Sequence, residues 1–166
     1  TVAGMTNGVL TATSSDTAIG TLIGLTTLNT DMITTTVGTT SVAATDLISL
    51  YGKTGVAVNA SSITTISGTS TELQTLYGAG STEITGLGNE AISITDTGTL
   101  ASSIITSIDG YTLGTVTLSG NGSLDLSTTV GQTLNLSGVT NSVTGTLTIN
   151  DNTGNENITG TSGNDI

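Results

Sequence analysis

The chain has 166 residues, a net charge of −11 and one cation, Lys53, with no Cys, His, Trp, Phe, Pro or Arg. Most of the side chains that activate nucleophiles, hold soft metals or clamp phosphates are missing, which argues against most enzymes. The acidic balance also argues against nucleic acid and anionic membrane as partners and makes divalent cations the natural counter-ions.

Thr makes up roughly a quarter of the sequence and, with Ser and Gly, about half, far from ordinary globular usage. The hydrophobic share of 34% comes almost wholly from Leu, Ile, Val and Ala, with aromatics at 2%. Small apolar side chains suit a narrow interior between stacked segments better than a bulky core. Their periodic placement and the lack of Pro argue against a disordered stalk. With no Cys, any stabilisation outside the cell falls to repeats and metal rather than disulfides.

In chain order, the first element is Ala18–Gly24, a short apolar-periodic stretch ending in Gly. Asp46-Leu47-Ile48-Ser49-Leu50-Tyr51-Gly52 repeats its pattern, and Glu72-Leu73-Gln74-Thr75-Leu76-Tyr77-Gly78 repeats it again after 26 residues. A looser copy is Ile104–Gly110. Apolar residues at i, i+3 and i+4 predict short helices, with Thr45 or Thr71 near the N-terminus, an acid in the first turn and Gly as the stop. Between the copies, 55–59, 62–68, 83–86 and 91–95 alternate aliphatic with polar residues and predict strands buried on one face. From about Thr112 the helix signals stop, and alternating runs at 115–120, 123–127, 132–138 and 145–150 recur at about ten residues.

This pattern predicts a mainly β chain. It reads as a parallel β-solenoid, β-helix-like, with short helical corners over 1–112, plainer β coils over 113–150, and a distinct segment at 151–166. A small β-sandwich is the alternative for the C-terminal part. Glu90, Asp96 and Asp109 read as solvated turn residues, and Lys53 as a solvent-facing turn residue rather than a partner in an isopeptide bond. Thr1-Val2-Ala3-Gly4 lacks a basic, apolar leader, and no stretch reaches the roughly 18 apolar residues of a membrane span. Because it stops inside a repeat, the chain reads as a piece of something longer.

Within 154–166 a phrase occurs twice, nine residues apart: Gly154-Asn155-Glu156 and Gly163-Asn164-Asp165, with Gly160 between them. Glycine turns with nearby carboxylates and carbonyls suit Ca²⁺, which takes six or more hard oxygen ligands. The candidate metal ligands are therefore Gly154, Asn155, Glu156, Gly160, Gly163, Asn164 and Asp165. Gly120-Asn121-Gly122 with Asp125, and Asn150-Asp151-Asn152, are weaker groupings that also fit ordinary turns.

Two resemblances follow from these residues. Stretches such as Ile66–Leu73, Gly86–Thr97 and Ile108–Thr112 resemble repeats of very long bacterial, often cyanobacterial, secreted surface proteins. Gly160-Thr161-Ser162-Gly163-Asn164-Asp165-Ile166 resembles the start of a repeats-in-toxin calcium-binding array. In that pattern Gly160 and Gly163 match glycines and Asp165 matches the acid. Thr161 stands where a second Gly is expected, Glu156 replaces Asp in the earlier copy, and Ile166 comes one position early. The resemblances imply a non-enzymatic structural or adhesive protein at the cell exterior. It would be stabilised by calcium and would associate with itself or with neighbouring modules as an adhesin, filament or S-layer component. Thr-x-Thr pairs at Thr11/Thr13, Thr34/Thr36, Thr115/Thr117 and Thr146/Thr148 leave ice or another ordered surface as the alternative partner, with a carbohydrate-active enzyme behind it.

Overall fold

The structure, a computed structural model, describes residues 5, 8–80 and 82–119 and the strands within 123–159. Two compact units are present: Thr1–Ile66 with Gln74–Leu87, and Ser67–Leu73 with Gly88–Ile166.

In the first unit, β1 (Thr11–Thr13) pairs in parallel with β2 (Met32–Thr34), and α1 (Ile19–Leu22) lies between them in sequence. Then β3 (Ser41–Ala43) runs directly into α2 (Ala44–Tyr51). Next, β4 (Val58–Asn59) pairs in parallel with β6 (Ile84–Thr85). The start of β5 (Thr65–Gly68) takes its first hydrogen bond from the segment before β3, through Thr65 N–H to the Thr40 carbonyl.

The second unit holds the first turn of α3 (Ser70–Gly78) and three further strands up to Leu118, β7 (Ala91–Ile94), β8 (Thr99–Ala101) and β9 (Val116–Leu118), followed by β10 (Ser123–Asp125). Between β8 and β9, α4 (Ser102–Asp109) follows β8 without a linking residue. After β10 come β11 (Thr133–Asn135), β12 (Val139–Asn141), β13 (Ile149–Asn150) and β14 (Asn157–Thr159). The parallel order is β7–β9–β12 in one sheet, β8–β10–β13 in a second and β11–β14 in a third.

Partners in these pairs sit from 21 positions apart, as for Thr11 and Met32, to 26, as for Val58 and Ile84. The register places aliphatic on aliphatic: Ile92 opposite Val116, Ile94 opposite Leu118 and Val58 opposite Ile84. A one-residue slip would turn each of these rows outward, so burial of one face fixes the register. The helices add Leu22, Leu47, Leu50, Leu73, Leu76, Ile105 and Ile108, all essentially inaccessible to solvent. Each such side chain contributes about 1.5–3 kcal/mol by leaving water.

The four sequence copies are the four helices, but the mainly β solenoid expectation is overturned. Up to Ser119 about as many residues are helical as stranded, the strands run two to four residues, and the sheets are short, giving a mixed α/β chain. The reason is local. The 3.6-residue aliphatic period runs for two turns in α2, α3 and α4, while Gly, Asn or Asp interrupts every alternating run before it lengthens. The sandwich alternative for the C-terminal part falls with it, since the strands described there pair in parallel, whereas sandwich sheets are antiparallel.

Capping also departs from expectation. Thr45 does not cap α2, whose N-cap is extended Ala43 without a side-chain bond. At α3 the cap is Thr69 rather than Thr71: Glu72 N–H donates to Thr69 Oγ1 at 3.4 Å, and Thr69 N–H donates to Glu72 Oε2 at 2.7 Å, a reciprocal capping box. Gly52 and Gly110 close their helices in right-handed conformation, at φ of −65° and −68°, so neither stops its helix by a left-handed turn.

Candidate functional site

Four buried polar side chains among the described residues, Asp31, Thr54, Ser70 and Thr112, fasten segments twenty or more residues apart. Asp31, 6% exposed, is the clearest case in the first unit. Its Oδ1 accepts from Leu10 N–H at 2.9 Å and its Oδ2 from Leu28 N–H at 3.0 Å. These two bonds, Leu28 first, hold the carboxyl below its ordinary pKa because they favour the charged form, against the opposing effect of burial. The Asp31 carbonyl accepts from Gly55 N–H at 2.6 Å, so one residue joins three stretches of chain.

Beside it, buried Thr54 donates through Oγ1 to the Ile33 carbonyl at 2.8 Å and accepts from Ile33 N–H at 3.0 Å. Gly55 is required there, since a Cβ would come within 2.7 Å of the Asn29 carbonyl. Lys53 closes the same corner: Nζ donates to the Leu25 carbonyl at 2.8 Å, and the Lys53 carbonyl accepts from Thr27 Oγ1 at 2.7 Å. The lysine is half-buried and bonded, not a free solvent-facing turn residue.

The second unit repeats the device. Glu90, 2% exposed, accepts through Oε2 from Gly88 N–H at 2.8 Å and Asn89 N–H at 3.0 Å. Its carbonyl accepts from Thr112 Oγ1 at 2.6 Å, and Thr112 Oγ1 accepts in turn from Gly114 N–H at 2.9 Å. Asp96 grips the start of α3 with both oxygens, from Ser70 N–H at 2.6 Å and Ser70 Oγ at 3.0 Å, 26 residues away. A carboxylate at a helix N-terminus also meets the positive end of the helix dipole. The solvated-turn expectation thus fails for Glu90 and Asp96, because unpaired backbone N–H groups need acceptors; Asp109 is exposed, as expected, but is the last residue of α4 rather than a turn residue.

Sequence reasoning missed Asp31, Thr54 and Thr112. A signal existed: Gly52-Lys53-Thr54-Gly55 after α2 and Gly110-Tyr111-Thr112-Leu113-Gly114 after α4 share a Gly-x-Thr phrase followed by Gly.

The hydroxyl array is discontinuous. Thr13 lies opposite Thr34, but Thr11 lies opposite Met32, and Thr36 bridges to Asn59. Thr146 and Thr148 lie outside the described residues.

The proposed calcium ligands Gly154, Asn155, Glu156, Gly160, Gly163, Asn164 and Asp165 all lie outside the described residues. Between the two phrases runs β14, paired in parallel with β11 in a register that puts Ile158 opposite Leu134. Gly120-Asn121-Gly122 and Asp151-Asn152 also lie outside them, while Asp125 and Asn150 fall on β10 and β13. Among the described residues no three acidic or other metal-ligating side chains cluster, and no helix is long and apolar enough to cross a membrane.

No protein-family model matches the chain, and no curated protein or solved structure matches it either.

Proposed function

We propose that this chain is a structural or adhesive module of a secreted cell-surface protein. It assembles with itself or with neighbouring modules into an extracellular filament or layer. One observation carries the reading: the buried polar side chains Asp31, Thr54, Glu90, Thr112 and Ser70 are committed to bonds between segments about twenty or more residues apart or to turns within them. Side chains consumed in this way hold a shape. The hydroxyl-rich exterior and the charge of −11 suit a protein in water with divalent counter-ions.

Calcium enters through the repeated Gly154–Glu156 and Gly163–Asp165 phrases, whose carboxylates and turn carbonyls are the oxygen donors that calcium takes. Its contribution would be to neutralise acidic turns and hold adjacent segments together; no chemical step is assigned to it.

Surface shaving tests the location. Brief treatment of intact cells with a protease that cuts after acidic residues is expected to release peptides of this chain. Recovery of the protein only from the lysed interior would overturn the proposal.

A further inference from the structure

We infer that Asn59 is a glycan acceptor, an inference that rests on export of the chain to the cell exterior. Asn59-Ala60-Ser61 has the Asn-x-Ser/Thr pattern with a residue other than Pro in the middle, as required for transfer of sugar to an amide nitrogen. Pattern alone is weak in so Ser- and Thr-rich a sequence. The folded geometry adds what the pattern lacks.

Asn59 is the last residue of β4, and its backbone is fully engaged: its N–H donates to the Thr35 carbonyl at 3.0 Å, and its carbonyl accepts from Val37 N–H at 2.8 Å. The side chain nonetheless faces water. Its Oδ1 accepts from Ser61 N–H at 3.1 Å, folding the three residues into an Asx turn. Nδ2 donates to no group among the described residues. A sugar on Nδ2 therefore removes no hydrogen bond, and the amide oxygen keeps the turn closed.

Neighbours fix this presentation. Ala60 is fully buried, and its N–H donates to the Thr85 carbonyl at 2.8 Å. Gly86, at φ +87°, packs so closely that a Cβ there would come within 2.8 Å of Ser61 Cα. The turn is thus held from behind by buried backbone, while Asn59 and Ser61 are exposed in front. The flanking Thr36 and Thr85 are also exposed and uncharged, leaving room for a bulky polar substituent.

The donor is a sugar linked through pyrophosphate to a membrane lipid. Asn59 Nδ2 forms a bond to the anomeric carbon and loses one proton, the anomeric carbon–oxygen bond breaks, and the lipid pyrophosphate leaves. The same three-residue pattern occurs at Asn121, Asn135 and Asn157, whose side chains lie outside the described residues.

The test is peptide mass mapping of the protein from the organism that makes it. Cleavage after acidic residues gives a 47–72 segment in which Asn59 is the only Asn. That segment is expected to carry sugar mass, to lose it in Asn59→Gln and Ser61→Ala, and to keep it in Ser61→Thr. Ser61→Ala leaves the Asn59 Oδ1 bond to Ser61 N–H in place and is expected to melt with the parent, which separates loss of the acceptor from loss of the fold. A bare Asn59 segment, or sugar that persists in Ser61→Ala, overturns the inference. Fractionating the same cells separates the two readings: bare Asn59 on surface-exposed protein sinks only the glycan, whereas protein confined to the interior sinks export as well.

Discussion

Thr112 Oγ1 donates to the Glu90 carbonyl at 2.6 Å across 22 positions of sequence, and the same oxygen accepts from Gly114 N–H at 2.9 Å. One buried hydroxyl thereby serves a backbone donor and a backbone acceptor at once. Thr112→Val keeps the volume but removes both bonds, and it is expected to cost about 1–3 kcal/mol, read from the urea midpoint. Thr112→Ser keeps the oxygen and is expected to lose much less. Equal losses in the two variants would contradict the role given to the hydroxyl.

Gly114 and Gly20 make an opposed pair. A Cβ on Gly114 would overlap the Glu90 carbonyl, whereas one on Gly20, in α1, meets nothing within 4 Å. Gly114→Ala is expected to destabilise the chain and Gly20→Ala to stabilise it by about 0.5–1 kcal/mol, because Ala is less costly than Gly in a helix. Thermal unfolding of the two variants should shift in opposite directions.

Thr35 presents the reverse of Thr112. It is 1% exposed, and its Oγ1 has no hydrogen-bond partner among the described residues. A buried hydroxyl without a partner is costly, so Thr35→Val is expected to raise stability by about 1 kcal/mol. A fall in the denaturant midpoint would show that the hydroxyl has a use.

Asp31 gives the chain a predicted acid response. The Leu28 and Leu10 N–H groups hold its folded pKa below the ordinary value of about 3.9. The unfolded state therefore takes up the proton first as pH falls. The contribution of Asp31 is complete above the unfolded value and is lost as pH drops toward and through the folded one. Unfolding midpoints measured from pH 6 to pH 2.5 should fall more steeply at the acid end for the parent chain than for Asp31→Asn.

Helix positions were legible in the sequence because Leu47 and Leu50, Leu73 and Leu76, and Ile105 and Ile108 keep a helical period that local sequence alone sets. The strands at 58–59, 65–68, 84–85 and 91–94 were legible for the matching reason, alternation. Ser41–Ala43 and Thr99–Ala101 were not, since three residues before a helix are too few to show a period. The balance of helix and strand was misjudged because strand length depends on tertiary pairing. Asp96 looked like an ordinary turn acid, and Asp31 went unread, because their partners Ser70 and Leu10 are chosen by chain folding rather than by adjacent residues. Glu90 does bond its own turn, and what the sequence hid was its burial beneath Thr112.

Assembly is the claim on which the functional reading turns. Electron microscopy of the protein from the organism that makes it, in millimolar calcium and again after chelation, tests it most directly. The account predicts ordered filaments or layers with calcium and their loosening without it. Single, separate particles at high protein concentration in calcium would contradict it.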